Sequence, residues 1–176
     1  MPTEKNPPLV LLYTGNGKGK TTAAFGLITR AWGRGMSVCM LSFMKAETAN
    51  FGEERAAKKM GIELIPMGAG FTWTSKDLAQ DRAVAQRCWS LCKEKLNAGT
   101  YDIVVLDEIT YPITFGWLDL DDVIETLQNR APNLHVVLTG RDAPQGLVDY
   151  ADLVTEMREV KHPFQKGIKA QPGLDF

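Results

Sequence analysis

Along the chain, short apolar runs alternate with stretches whose apolar residues recur every three or four positions. Leu9-Val10-Leu11-Leu12-Tyr13 predicts a strand over 9–13, and the mixed stretch behind it predicts a helix over 20–32. Further strands are expected over 38–43, 62–66, 102–106 and 134–139, with helices over 53–60, 77–97 and 120–129. Ser75 stands where a cap for the long helix belongs. Ile103-Val104-Val105-Leu106 is apolar at every position, the pattern of a strand buried on both faces. Such strands belong to a parallel sheet with helices on each side, so the fold class is α/β with three layers. A Gly-rich, aromatic loop is expected over 68–73. The segment 158–176, punctuated by Pro163, Gly167, Pro172 and Gly173, reads as an irregular tail. The expected organisation is a short arm over 1–8, one α/β domain over 9–157, and the tail 158–176 packed on or near the active site.

Composition narrows the partners. The 176 residues suit one domain, and 44% hydrophobic with 23% charged residues is ordinary for a globular protein. Lys plus Arg number 20 against 21 Asp plus Glu, a net charge of −1. That balance supplies no general field for nucleic acid or an anionic membrane, so a polyanion would have to be held locally. No apolar run approaches the roughly 20 residues of a membrane span. The start, Met-Pro-Thr-Glu-Lys-Asn-Pro-Pro, lacks a signal-peptide pattern, and Cys39, Cys88 and Cys92 are too few and too odd for a disulfide framework. A cytoplasmic, reduced protein is expected.

The strongest chemical signal is Thr14-Gly15-Asn16-Gly17-Lys18-Gly19-Lys20-Thr21-Thr22, between the first strand and the first helix. Converging backbone N–H groups at a helix N-terminus cradle phosphate oxygens, a Lys reaches the outer phosphates, and a hydroxyl meets Mg²⁺. Gly19-Lys20-Thr21 matches the end of the G-x-x-x-x-G-K-[ST] pattern, while Thr14 stands where the first Gly belongs. A dinucleotide-type loop is excluded, because its third Gly would fall on Lys20 and no acidic residue ends the second strand. The expected fold is therefore a phosphate-loop NTPase-like (RecA-like) single domain. The apolar run at 103–106 ends in Asp107-Glu108, a carboxylate pair expected on a strand next to the first one, within reach of a Mg²⁺ or Mn²⁺ ion shared with Thr21. Glu108 is read either as a metal holder or as a base that polarises a water.

Several stretches together resemble the bacterial corrinoid adenosyltransferases. They are the loop with Ala23-Ala24-Phe25-Gly26 behind it, Phe43-Met44-Lys45, Gly70-Phe71-Thr72-Trp73, Val104-Val105-Leu106-Asp107-Glu108 and Leu138-Thr139-Gly140-Arg141. Val160-Lys161-His162-Pro163-Phe164 and Gly167-Ile168-Lys169-Ala170-Gln171-Pro172-Gly173 complete the set. The resemblance implies transfer of the adenosyl group of ATP to the Co(I) of a corrinoid, with release of triphosphate. It implies that Phe71 and Trp73 form an aromatic wall facing the corrinoid and easing reduction of Co(II). It also implies a reduced flavin or flavodoxin-like electron donor and a homodimer.

On this reading Co(I) is its own nucleophile and needs no general base, which suits a chain with two histidines. Lys20, the loop amides and the metal would stabilise the leaving triphosphate. Lys45, ending the second strand, is read as facing the nucleotide or as an exposed lysine. Arg141, past the fifth strand, is read as a phosphate contact or as half of a surface ion pair. Cys88 and Cys92, four apart on one helix face, are expected to be buried packing residues, and His135 a structural histidine. The competing functions are an ATPase or phosphotransferase using Glu108 as base with Arg141 as a finger in cis, and a nucleotide-binding regulator without catalysis.

Overall fold

The computed structural model describes residues 6–46, 51–68 and 78–175. Six strands form one fully parallel sheet: β1 (Val10–Thr14), β2 (Val38–Ala46), β3 (Glu63–Gly68), β4 (Ile103–Asp107), β5 (His135–Thr139) and β6 (Leu153–Glu156). Their spatial order is β3-β2-β4-β5-β1-β6. The connections carry α1 (Lys20–Trp32), α2 (Gly52–Met60), α3 (Leu78–Asn97), α4 (Thr110–Thr114), α5 (Leu120–Gln128) and α6 (Gln145–Tyr150). None of the described helices is long and apolar enough to cross a membrane.

Strand periodicity divides the core into two faces, because successive side chains point to opposite sides of a pleated sheet. Val10 and Leu12, Cys39 and Leu41, Val104 and Leu106, and Val136 and Leu138 pack with Trp89, Cys92 and Leu96 of α3, Val123 and Leu127 of α5, and Leu147 of α6. The alternate residues Val38, Met40, Ile103, Val105 and Val137 pack with Ala24, Ile28 and Ala31 of α1 and Ala57 of α2. All five β4 residues are buried, as the uninterrupted apolar run requires. Truncating a side chain such as Leu106, which has no exposed surface, would cost about 2–5 kcal/mol through lost burial and the cavity left behind.

Helix ends follow local rules. Asp119 caps α5, its side chain accepting from the N–H groups of Asp121 at 2.8 Å and Asp122 at 3.2 Å. His135 is structural, its Nδ1 accepting the Leu9 N–H at 3.1 Å. Cys92 is fully buried and the Cys88 thiol donates to the Met67 carbonyl at 3.2 Å, so both are packing residues whose thiols burial pushes up.

Two expectations need correction. The strand ending in Asp107 is not beside the first strand: β5 lies between β4 and β1. The sequence pattern also missed β6, α4 and α6. Every β6 residue is exposed on the edge of the sheet, so no buried run marks it, and α4 is a five-residue helix with Pro112 inside it. The expected cap Ser75 lies outside the described residues.

Candidate active site

The carboxyl ends of β1, β2, β4 and β5 converge on one locus. β1 ends at Thr14, and the loop 15–19 turns the chain into α1. Gly15 and Gly19 sit at φ of 92° and 115°, in the left-handed region that only glycine adopts without strain. Gly15 and Gly17 have a further reason. The segment after β6 crosses the loop so closely that a Cβ on Gly15 would lie 2.5 Å from the Met157 carbonyl oxygen, and one on Gly17 2.7 Å from it. Gly17 N–H donates to that carbonyl at 2.6 Å, and Met157 N–H donates to the Thr14 carbonyl at 2.8 Å. The Lys18 side chain pairs with Asp175, which brings the tail onto the loop.

Thr14, at the position of the usual first glycine, is buried and accepts the Ala143 N–H on its hydroxyl at 3.3 Å. The threonine therefore ties the β5–α6 connection to the loop. Lys20 is only 5% exposed, and its ammonium donates to the carbonyls of Gly15 and Gly17, both at 2.8 Å. Burial lowers its pKa, with the charge of Glu108 acting in the opposite sense. Asn16, Lys18 and Thr22 are exposed around this core, and Thr21 is half-buried.

Asp107 and Glu108 occupy different environments despite being neighbours. Asp107 has no exposed surface. Its Oδ1 accepts the hydroxyls of Thr21 at 2.9 Å and Thr139 at 2.8 Å, and its Oδ2 accepts that of Ser42 at 2.8 Å. Three hydroxyl donors satisfy a carboxylate that burial would otherwise penalise. Glu108 has φ of 61°, and its N–H donates to Thr139 Oγ1 at 2.9 Å. Its Oε2 is buried without a hydrogen-bond partner. Burial first, and then the charge of Asp107, push the Glu108 carboxyl up to about 7, against the pull of Lys20, Arg141 and Lys45.

Lys45 and Arg141 thus share the electrostatic field of Glu108. Lys45 places its ammonium 4.9 Å over the Phe51 ring, and Arg141 is exposed past β5. Its carbonyl accepts the Thr110 hydroxyl at 2.6 Å. Phe71 and Trp73 lie outside the described residues. Sequence reasoning missed Ser42 and Thr139, whose signals were a lone hydroxyl inside the apolar run of β2 and another at the end of β5. It also missed an aromatic group past Glu108, in which Phe115 lies 6.0 Å from Tyr111 and 4.9 Å from Trp117 between ring centroids.

The donor set is all hard oxygen: one hydroxyl, one committed carboxylate and one uncommitted carboxylate oxygen. It fits a Mg²⁺-like cation, which keeps several waters and uses few protein ligands beside substrate phosphates. Among the described residues no three His, Cys, Asp or Glu side chains gather into a metal cage.

A family model described as ATP:corrinoid adenosyltransferase BtuR/CobO/CobP matches residues 6–176. The corrinoid adenosyltransferase of Escherichia coli is 40% identical over 168 residues, spanning 96% of this chain and 85% of that one. The corrinoid adenosyltransferase CobA of Salmonella typhimurium is 41% identical over 168 residues, with the same coverage of 96% and 85%. That of Pseudomonas aeruginosa is 42% identical over 170 residues, covering 96% and 83%. Among solved structures, the flagellar accessory protein FlaH of Methanocaldococcus jannaschii superposes with a TM-score of 0.56. It has 12% identity and covers 85% of this chain and 71% of that one, a likeness of fold alone.

Proposed function

The chain belongs to the ATP:corrinoid adenosyltransferase family, and on that premise we propose how its site carries the reaction. The enzyme moves the 5′-deoxyadenosyl group of ATP onto the Co(I) of a corrinoid and releases triphosphate. The cobalt electron pair forms the Co–C5′ bond while the C5′–O bond breaks, and that bonding pair leaves with the triphosphate. No proton has to be removed from the nucleophile, so the protein's tasks are alignment and stabilisation of the leaving group.

The observation that carries the assignment of roles is the contrast between the two strand-end carboxylates. Asp107 is fully engaged by three hydroxyls, whereas Glu108 keeps a buried oxygen without a partner. In this proposal Glu108 and the Thr21 hydroxyl hold a Mg²⁺ or Mn²⁺ ion, and Asp107 orients Thr21. Such an ion would supply charge neutralisation for the triphosphate. Lys20 leaves the two loop carbonyls it now caps and transfers its ammonium to phosphate oxygens. The backbone around Gly15, Asn16, Gly17, Lys18 and Gly19 encloses the phosphates, with Thr22 beside them at the start of α1. Arg141 and Lys45 add positive charge from the sides.

For Phe71 and Trp73, outside the described residues, the proposal keeps the role that the family resemblance implies: an aromatic wall that would exclude water and a lower axial ligand from the cobalt and so ease its reduction. The electron donor in this reading is a reduced flavin or a flavodoxin-like protein. The enzyme works as a homodimer in the cytoplasm. The tail 158–176 is read as a strap on the domain 9–157: the Lys18–Asp175 pair ties it to the phosphate loop, while Val160, Phe164 and Leu174 stay exposed.

The competing chemistry is cleavage at the γ-phosphate with Glu108 as base, and its support is that a carboxyl pushed up to about 7 is tuned for proton transfer at neutral pH. An anaerobic incubation with ATP, Mg²⁺, a reductant and cobalamin separates the two. Adenosyl transfer predicts the visible spectrum of a light-sensitive Co–C bond. An unchanged corrinoid spectrum with ADP accumulating would refute the assignment.

A further inference from the structure

Asp107 and Glu108 stand at the end of β4, the phosphate loop leaves β1, and β5 runs between the two strands. The two halves of the site are therefore not neighbours in the sheet, and whatever fixes one against the other has to cross β5. Thr139, the last residue of β5, lies at that crossing. It pairs with Tyr13 of β1 in the strand register, and the Gly140 N–H behind it donates to the Tyr13 carbonyl at 3.2 Å. On its other flank its hydroxyl reaches both Asp107 and Glu108.

A hydroxyl carries one hydrogen and accepts on its lone pairs. Here the hydrogen goes to Asp107 Oδ1 at 2.8 Å, and the oxygen takes the Glu108 N–H at 2.9 Å. Thr139 has no exposed surface, so bulk water does not replace either bond. At φ 61° Glu108 sits in the left-handed region, which a residue with a Cβ keeps only where its surroundings hold it. The bond from its N–H to Thr139 is such a hold. Asp107 Oδ1 also accepts the Thr21 hydroxyl of α1 at 2.9 Å. One side chain of β5 thus sets Glu108 through its backbone and Thr21 through Asp107.

We propose that Thr139 is a positioning residue: its hydroxyl holds Glu108 in the left-handed turn and, through Asp107, aligns the Thr21 hydroxyl, so that the two oxygens assigned to the metal ion are placed before nucleotide binds. The inference rests on the metal role given above to Glu108 and Thr21, and adds a residue that touches neither the ion nor ATP. Serine at 139 supplies the same two bonds, whereas valine, close to threonine in shape, supplies neither. Ser42 is the comparison, since it donates to Asp107 Oδ2 at 2.8 Å while the Glu108 N–H goes to Thr139.

The test uses the full chain and calorimetric titration with ATP, once in EDTA and once in saturating Mg²⁺; the ratio of the two affinities is the Mg²⁺ gain. Thr139→Val is expected to cut the gain about tenfold, with affinity in EDTA kept within about twofold because Lys20 and the loop are untouched. Thr139→Ser should keep the wild-type gain within about twofold, and Ser42→Ala within about threefold. A second readout needs neither metal nor nucleotide. Hydrogen exchange at the Glu108 amide of the ligand-free chain should speed up about tenfold or more in Thr139→Val and return toward the wild-type rate in Thr139→Ser.

An undiminished Mg²⁺ gain in Thr139→Val overturns the inference, as does unchanged exchange at the Glu108 amide. Equal losses in Thr139→Val and Ser42→Ala overturn it as well, because the effect would then run through Asp107 alone. Failure of serine to rescue would reduce Thr139 to a packing residue. If Thr139→Val does not fold, Thr139→Cys carries the test: its thiol is a weak donor and acceptor, and the gain should fall at least about fivefold. A wild-type protein without a Mg²⁺ gain, or Glu108→Gln with the whole gain intact, would sink the metal role of Glu108 and this inference with it. A gain that Glu108→Gln loses and Thr139→Val keeps would sink this inference alone.

Discussion

Glu108 is costly to the folded chain, and removing its charge should make the protein more stable while ruining its function. The carboxyl is buried beside Asp107, one oxygen is unpartnered, and its pKa rises from 4.5 to about 7. Below pH 4.5 the residue is protonated in both the folded and the unfolded chain, so it contributes no pH-dependent difference. Between 4.5 and about 7 the unfolded chain has released its proton while the folded chain still holds it, so stability falls as pH rises through this window. Above 7 the whole penalty is present. A rise from 4.5 to about 7 corresponds to at most about 3.5 kcal/mol, and about 2 kcal/mol after allowance for screening.

Glu108→Gln keeps the size of the side chain and the backbone at φ 61°, and removes only the charge. At pH 8 the ligand-free variant should therefore melt about 4–8 °C above the wild type, at roughly 2–4 °C per kcal/mol for a chain of this size. The two melting curves should converge at pH 4. Thermal denaturation of both proteins at pH 4, 6 and 8 reads this directly, because other titrating groups cancel in the difference. A stability gap that is constant with pH, or a variant less stable at pH 8, would refute the reasoning. Saturating Mg²⁺ and ATP should reverse the order, since ligand stabilises only the protein that binds it.

Other expectations follow from the same geometry. Lys20→Ala removes the buried ammonium that donates to the Gly15 and Gly17 carbonyls, and adenosylation measured by absorbance should fall about 10²–10³-fold; a loss under tenfold would contradict its role. Gly17→Ala would place a Cβ 2.7 Å from the Met157 carbonyl oxygen, so urea denaturation should show a loss of about 2–3 kcal/mol and calorimetry a loss of ATP binding. Gly26→Ala in α1, where a Cβ meets nothing within 4 Å, should instead stabilise by about 0.5–1 kcal/mol in the same assay. Phe71→Ala combined with Trp73→Ala should retain ATP affinity but lose turnover when the cobalamin starts as Co(II); undiminished turnover would remove the aromatic wall.

Much of the frame was legible because a parallel sheet buried on both faces writes itself as unbroken apolar runs. β4, buried at all five positions, is the clearest case, and β6, exposed at all four, left no such trace. The loop was legible through its spacing and its strand-to-helix context. The reason for two of its glycines was not, since the chain that crowds Gly15 and Gly17 returns at Met157, some 140 residues later. The carboxylate pair was legible as a pair. Its division into an engaged Asp107 and an open Glu108 was not, because Ser42 and Thr139 arrive from two neighbouring strands. The departure at Thr14 became intelligible only through the N–H of Ala143.

On the proposed mechanism the site breaks the C5′–O bond of ATP and leaves the phosphate chain whole. Phosphorus NMR of the products of an anaerobic turnover with ATP, Mg²⁺, reductant and cobalamin tests it most directly. Free triphosphate appearing in equal amount to the adenosylated corrinoid is the predicted result. ADP and inorganic phosphate appearing with no adenosylated corrinoid would contradict it.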